Sequence, residues 1–289
     1  RAWRAKEPVK TRVHCSIGGG LGDVICAEPV VRSCIEDFWG EENTKVIVTT
    51  KYPRVFQHFK YPNVTVSDDI APVQKWRDDK YAVYECASHP AGAHWSRMFF
   101  PYTEIHNFDF GCYALSNRMI APERKRIQLE VTGADTDELY GKILADKSKM
   151  VAVHAGTGWP SKTFPIEWWN AVLAGLVSAG LTPVVFGKNV SKEHGTLPVD
   201  TTGCINVVDK LSLGGMFALI QACPVLLTND SSPVHVAGAF DNEIVLISTT
   251  KRADFVLPFR KGRTNYKAVG LCKKCVPFEH GWKPNAHIV

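Results

Sequence analysis

Two stretches of the sequence follow the same order of elements: a short apolar strand, a glycine-bearing turn and a helix. Residues 11–17 form the first predicted strand, and the turn 18–23 and a helical pattern follow it. In the second half, residues 150–154 form a strand, residues 155–162 a turn, and residues 166–179 a helix. Strands that alternate with helices build parallel sheets with helices on their faces. The repeated order therefore predicts two α/β domains in series.

Further apolar runs continue this alternation in both halves. The other predicted strands are 45–50, 63–66, 80–86, 182–186, 206–208, 224–228 and 243–248, with 126–131 as a candidate edge strand. A polar, lysine-bearing stretch over 132–149 is typical of a linker that begins with a capped helix. We place the domains at residues 1–140 and 141–289. The expected fold class is α/β, with two Rossmann-like doubly wound domains that face a central cleft at the carboxyl ends of their strands.

The composition is that of a folded protein that carries a mild positive charge. Of the 289 residues, 45% are hydrophobic and 22% charged, and the formal net charge is +5. That charge suits an anionic ligand and permits a nucleic-acid partner without requiring one. No apolar run reaches the roughly 18 residues of a membrane span, and the N-terminus has no apolar signal core. We expect a cytoplasmic protein.

The cysteine pattern indicates reduced thiols. Nine cysteines are an odd number, and most are scattered through apolar segments, which does not indicate a disulfide framework. Cys272 and Cys275 have the spacing of a metal or redox pair, but a single CxxC without a second pair is a weak signal. Whether this pair binds a metal stays open at this point.

The stretch 226–239 predicts a buried strand, an acidic turn and a helix that opens at Ser231. Pro233 falls in the first helical turn, where its missing N–H costs little. Asp230 or Ser231 can cap this helix, whose free N–H groups favour an anion such as a phosphate. An ordinary capped helix explains the pattern equally well.

Two other turns carry residues that could bind a ligand or take part in catalysis. The turn 18–23 matches neither the dinucleotide fingerprint nor a Walker loop, so it brings backbone close to a ligand and leaves Asp23 as a helix cap or a general base. The turn 155–162 ends with Lys162, which suits a diphosphate or is a solvated surface lysine. His154 is expected to be a packed strand histidine. His235, one helical turn beyond Ser231, can face the same anion, but packing is the favoured interpretation of an isolated helix histidine.

Three segments together resemble the heptosyltransferase family of glycosyltransferases, family 9, which has the GT-B architecture. They are Gly-Leu-Gly-Asp-Val-Ile-Cys-Ala-Glu-Pro at 20–29, His-Ala-Gly-Thr-Gly-Trp-Pro-Ser-Lys-Thr-Phe-Pro at 154–165 and Thr-Asn-Asp-Ser-Ser-Pro-Val-His-Val-Ala-Gly-Ala at 228–239. Their order and separation match the family pattern over nearly the whole chain. Two departures stand out: the family's His-Pro-Gly is His-Ala-Gly here, and its Asp-Ser/Thr-Gly is Asp-Ser-Ser followed by Pro233.

The resemblance implies a role for each matching residue. Asp23 would be the general base for the acceptor hydroxyl, and Lys162 would bind the donor diphosphate. The reaction would be inverting and metal-independent. The donor site would be lined by Thr157, Gly158, Ser161, Asp230, Ser231, Ser232 and His235. The acceptor-side loop would include Gly19, Gly20 and Gly22. His89 and His94, in the His- and aromatic-rich stretch 88–113, match no family motif, and their composition alone suggests an acceptor-binding surface.

Three functional hypotheses follow. The first is a glycosyltransferase with a nucleotide-sugar donor and a lipopolysaccharide-type glycan or lipid-linked acceptor, working at the inner membrane surface. The second keeps the fold and takes a hydroxymethylated DNA base as acceptor, because basic residues cluster at 124–126 and 260–263. The third is a sugar-nucleotide epimerase or a non-catalytic nucleotide-binding protein of the same fold.

Overall fold

The computed structural model describes residues 11–88, 120–156, 162–189, 195–248, 253–259 and 266–270. These residues divide into two compact units. The described residues up to Gln128 form the first unit, and those from Leu129 onward form the second.

The first unit is a parallel α/β sheet of four strands in the order β3-β2-β1-β4. Helix α1 continues into a π-helical turn at Ile35–Trp39, and short 3-10 turns lie at Pro53–Phe56 and Pro122–Arg124. The elements are β1 (Thr11–Ile17), α1 (Leu21–Cys34), β2 (Thr44–Thr50), β3 (Val64–Ser67), α2 (Ala71–Asp78) and β4 (Tyr84–Ser88).

The second unit is a parallel sheet of six strands in the order β10-β9-β8-β5-β6-β7. Its first strand, β5, lies in the middle, with β6 and β7 on one side and β8, β9 and β10 on the other, which is the doubly wound order. The elements are α3 (Gly133–Tyr140), β5 (Met150–His154), α4 (Ile166–Ser178), β6 (Thr182–Val185), β7 (Ile205–Asn206), α5 (Leu213–Ala222), β8 (Val225–Asn229), α6 (Ser232–Val236), β9 (Glu243–Ser248), α7 (Ala253–Val256) and β10 (Tyr266–Gly270).

Apolar packing explains why these runs form sheets. In the second unit, Val151 and Val153 of β5 pack with Trp169 and Leu173 of α4, and all four side chains are buried. A parallel strand is covered on both faces, so its sequence is a continuous apolar run. Both sheets are parallel and Rossmann-like, and the predicted α/β fold class is confirmed.

The helix at Gly133–Tyr140 packs in the second unit, although the predicted boundary after residue 140 assigns it to the first domain. Thr132 caps this helix, because its hydroxyl accepts from the Asp135 N–H. Glu138 then accepts from the backbone N–H of Ser212 at 2.8 Å and from the Ser212 hydroxyl. These polar bonds join α3 to the start of α5, a long-range pairing that local composition does not reveal.

Residues 126–131 form no strand, so the predicted edge strand is wrong. Their backbone groups bond to a buried ionic network on α1 instead of to a neighbouring strand. The Arg126 carbonyl accepts from Arg32 at 2.8 Å, and the Gln128 N–H donates to the Glu28 carboxylate at 3.0 Å. Glu28 is fully buried and Arg32 nearly so. A carboxylate and a guanidinium thus satisfy main-chain groups that a strand partner would otherwise satisfy.

Two further observations concern the described part of the chain as a whole. None of its helices is both long and apolar enough to cross a bilayer. Its cysteines are free thiols: Cys15, Cys26, Cys34, Cys86, Cys204 and Cys223. Cys272 and Cys275 lie outside the described residues.

Candidate functional site

The strand order of the second unit reverses between β5 and β8. These two strands are neighbours, with His154 paired in register to Thr228. Ligands of doubly wound sheets bind beyond the carboxyl ends of the strands at such a switch point. The residues that follow β5 and β8 therefore form the candidate ligand-binding site of this unit.

Lys162 and Asp230 meet at this position. The Lys162 ammonium lies 2.6 Å from the Asp230 carboxylate, and their side chains are 13% and 5% exposed. A pair that is this shielded from water interacts more strongly than a surface pair. The prediction that Lys162 and Asp230 share one site is consistent with this geometry, and the alternative of a solvated lysine is wrong.

Asn229, the last residue of β8, holds the chain that leads to Lys162. Its side-chain amide donates to the carbonyl of Gly156 and to the carbonyl of Lys162, both at 2.9 Å. Asn229 is 3% exposed, so these bonds form away from solvent. An amide has two N–H donors, and here both are used.

His154, the last residue of β5, is a neutral packed histidine that also bonds to the site. Burial lowers the pKa of His154 to about 4. Its Nδ1 lies 3.1 Å from the Ser231 hydroxyl, and its ring lies against Gly156, where any β-carbon would overlap the ring. The glycine two residues after the histidine is thus a packing requirement.

The helix after β8 is short and begins one residue later than predicted. Helix α6 covers only Ser232–Val236, followed by a 3-10 turn at Ala237–Ala239. Ser231 occupies the N-cap position, but its side chain makes no capping bond. Its hydroxyl instead lies within hydrogen-bonding distance of His154 and of Thr228. The predicted Ser231 side-chain cap is therefore wrong, because those two polar groups compete for the hydroxyl.

The remaining residues of this helix start occupy different environments. Ser232 is partly exposed at the first helical position, and Pro233 follows in the first turn, as expected for a residue without N–H. His235 is buried, with 5% of its surface exposed. Its burial agrees with the packing interpretation of a helix histidine.

In the first unit, Asp23 lies in the first turn of α1 and is exposed. Helix α1 begins at Leu21, earlier than the sequence pattern suggests, and includes Gly22. The Asp23 carboxylate accepts from the backbone N–H of Gly20 at 2.8 Å. Gly19 has a φ of +90°, and a β-carbon there would overlap the Asp23 carboxylate. Asp23 thus caps the start of α1 by accepting from the N-cap residue Gly20.

Several predicted site residues lie outside the described part of the chain. They are Thr157, Gly158, Ser161, His89 and His94. The basic stretch 260–263 also lies outside it.

The other basic stretch, 124–126, lies within the described residues, and its first residue is paired with acidic side chains. Arg124 bonds to Asp37 at 2.8 Å and to Glu36 at 2.7 Å, and these hydrogen bonds raise the pKa of Arg124. Lys125 is 4% exposed. Arg124 and Lys125 therefore do not form the open cationic surface that motivated the DNA hypothesis.

Sequence reasoning missed Asn229 as a site residue and gave His154 no role in the site. Each is a polar residue at the last position of an otherwise apolar strand, which is the signal that could have identified them. Among the described residues, no group of three or more His, Cys, Asp or Glu side chains is placed to hold a metal ion.

The comparisons with known proteins agree with this architecture. The family model described as "Glycosyltransferase family 9 (heptosyltransferase)" matches residues 95–280. Lipopolysaccharide heptosyltransferase 2 of Salmonella typhimurium strain LT2 is 29% identical over 105 residues. That match covers 34% of this chain and 30% of the relative, so the chain spans less than a third of that protein's length in the alignment.

Two solved structures share the fold over most of the chain. A glycosyl transferase family 9 protein from Veillonella parvula DSM 2008 has a TM-score of 0.67 and 17% identity, and the match covers 94% of this chain and 90% of that one. The ADP-heptose lps heptosyltransferase II of E. coli has a TM-score of 0.61 and 16% identity, with coverage of 91% and 92%. At these identities the likeness shows the fold alone.

Proposed function

The chain belongs to glycosyltransferase family 9, and from this premise we propose that it transfers a sugar from a nucleoside-diphosphate sugar to a hydroxyl group of a glycan acceptor. The observation that carries the proposal is the shielded Lys162 ammonium beside Asp230 at the switch point between β5 and β8. A fixed cation there can offset the charge of a diphosphate. With His154 neutral, Lys162 supplies the positive charge of this cluster.

The proposed reaction is an inverting single displacement. The Asp23 carboxylate takes the proton of the acceptor hydroxyl while the acceptor oxygen bonds to the anomeric carbon of the sugar. The bond from that carbon to the diphosphate oxygen breaks, and the nucleoside diphosphate leaves with its electron pair. Lys162 stabilises the negative charge that develops on the leaving group. These roles need no metal ion, and we propose that the reaction proceeds without one.

We propose an ADP-linked heptose as the first donor to test and a lipopolysaccharide-type glycan as the acceptor class. Support comes from the fold shared with the ADP-heptose lps heptosyltransferase II of E. coli and from the partial match to lipopolysaccharide heptosyltransferase 2. An acceptor of this kind would place the reaction at the cytoplasmic surface of the inner membrane. The family-model match begins at residue 95, so the role of Asp23 rests on the sequence motif around it.

A thermal-shift screen tests the donor site. Nucleoside diphosphates and their sugars are added separately to the wild-type chain and to the Lys162→Ala variant. A ligand at about 100 times its dissociation constant adds about 2.7 kcal/mol to stability. We expect ADP and ADP-sugars to raise the melting temperature of the wild type and to raise that of the variant by less, because the variant lacks the ammonium that offsets the diphosphate charge. If none of the nucleotides raises the melting temperature of the wild type, the donor-site proposal fails.

Asp23→Asn separates transfer from the non-catalytic and epimerase alternatives. We expect this variant to keep the ADP-induced thermal shift and to lose sugar transfer, because the amide cannot accept the proton. The product from the wild type should have inverted anomeric configuration by NMR, and transfer should survive EDTA. Full activity of Asp23→Asn would contradict the base assignment and favour another reaction of the same donor site.

A further inference from the structure

Asn229 contacts both ends of the chain segment that leads into Lys162. One amide bonds the carbonyls of Gly156 and Lys162, each at 2.9 Å, and these two residues bracket residues 157–161. The amide is buried at the end of β8, a strand in the interior of the sheet. A rigid strand end thus fixes the separation between Gly156 and Lys162.

The residue that follows contacts the other end of the same lysine. Asp230 lies 2.6 Å from the Lys162 ammonium, while Asn229 bonds the Lys162 main chain. Two consecutive residues of one strand end therefore hold Lys162 at its backbone and at its charged tip. A lysine stem has several rotatable bonds, so restraint at both ends removes most of its freedom.

The orientation of the amide is itself set by neighbouring polar groups. The Ser231 hydroxyl lies 3.3 Å from the Asn229 side-chain oxygen and 3.1 Å from the Nδ1 of His154. With the amide oxygen directed to Ser231, the two N–H groups point to the two carbonyls. This chain of bonds runs from the end of β5 to the end of β8 and back to the lysine.

We propose that Asn229 is a positioning residue for donor binding, which acts by holding Lys162 where the diphosphate of the donor binds. The identity of the ligand, a nucleoside-diphosphate donor, rests on the proposed function. The restraint of Lys162 by Asn229 does not. The proposal predicts a loss of donor affinity when the amide no longer bridges the carbonyls of Gly156 and Lys162. Replacement by Ser leaves a neutral hydroxyl too short to reach both carbonyls, and replacement by Asp keeps the shape but removes the donors.

The test uses Asn229→Ser and Asn229→Asp in the full chain, with ADP as the probe. Asn242→Ser is the matched control, because Asn242 is also a buried asparagine of this unit whose amide donates to a backbone carbonyl, that of Ile220. We expect both Asn229 variants to bind ADP about tenfold or more weakly, while the control binds it like the wild type. In a Lys162→Ala background, Asn229→Ser should cause no further loss, since the two residues act as one unit.

A second measurement is independent of any nucleotide. Hydrogen exchange of the peptide that spans residues 155–164 should be faster in both Asn229 variants than in the wild type and the control. If the wild type binds no nucleotide, the proposed function fails, and the exchange result still decides whether Asn229 holds this segment. Unchanged exchange in the folded variants overturns the inference. Weaker ADP binding by Asn229→Asp but not by Asn229→Ser also overturns it. So does an Asn229→Ser variant that weakens ADP binding as much in the Lys162→Ala background as in the wild type.

Discussion

At the residue scale, neighbouring side chains of the candidate donor site have opposite requirements for charge. Lys162 and Asp230 form an ion pair, whereas His154, bonded to the adjacent Ser231, is held neutral by burial. A second positive charge at His154 would add affinity for an anion, but burial makes that charge costly. The site therefore has one cation whose position matters, and a neutral imidazole that serves packing and hydrogen bonding.

His154 gives the folded protein a defined dependence of stability on pH. Its pKa falls from the ordinary 6.5 to about 4, so between these values the unfolded chain binds more protons than the folded chain. The contribution of the neutral histidine to the free energy of unfolding is present in full above pH 6.5 and is lost as the pH falls toward 4. The slope has an upper limit of about 1.4 kcal/mol per pH unit. We expect the melting temperature of His154→Gln to fall less than that of the wild type when the pH is lowered from 7 to 4.5.

The comparison is made by thermal melts of both proteins across this range in one buffer series. Asn242→Ser serves as a control for the loss of a buried polar side chain, because Asn242 carries no titratable group and donates to the Ile220 carbonyl in the same unit. Parallel melting curves for the wild type and His154→Gln would show that His154 is already protonatable in the folded state.

At the element scale, helix α1 joins the glycine turn to a buried ionic network. Its first turn carries Asp23, and its interior carries Glu28 and Arg32, which bond to each other at 2.8 Å. Glu28 also lies 3.0 Å from a nitrogen of His58 and accepts from the Gln128 N–H. This network is the reason that residues 124–128 pack against α1 without forming a strand.

Removing both partners of the Glu28–Arg32 pair should cost less stability than the sum of the two single removals. Glu28→Leu leaves Arg32 buried without its carboxylate, and Arg32→Leu leaves Glu28 without its guanidinium. Each single change should cost about 3 kcal/mol, as for other broken buried pairs. The double variant should cost less than the sum of the two. Denaturant unfolding of the wild type, the two single variants and the double variant measures these free energies of unfolding. Strictly additive losses of stability would contradict an energetic coupling between Glu28 and Arg32.

Several elements that contain an apolar run were predicted correctly from sequence. The strands at 11–17 and 150–154 match the structure residue for residue, and the helix from Ile166 ends within one residue of its predicted end. Local pattern was insufficient where polar contacts between distant residues decide the outcome. The bonds from Arg32 and Glu28 to residues 126–128, and from Glu138 to Ser212, join positions far apart in sequence. The carboxyl-end residues Asn229 and His154 form their contacts only once β5 and β8 are neighbours.

At the scale of the whole molecule, the formal charge of +5 says little about where cations are available. Arg124 is bonded to two carboxylates, and Lys125 is buried. Nonspecific DNA binding depends on cations that neutralise phosphates, and each such contact adds close to one unit to the slope of log affinity against log salt. A paired or buried cation does not contribute to that slope.

We therefore expect weak and salt-insensitive retention of duplex DNA by the full chain. Titration with a fluorescent duplex between about 50 and 200 mM salt measures the slope, and a protein with several phosphate contacts loses affinity steeply over that range. Arg124→Ala should leave retention unchanged, because Arg124 is already bonded to Glu36 and Asp37. A steep slope that falls when Arg124 is removed would restore the DNA-base acceptor as a rival to the glycan. A shallow slope, together with a thermal shift from ADP, would favour a small anionic donor over duplex DNA as the ligand of this chain.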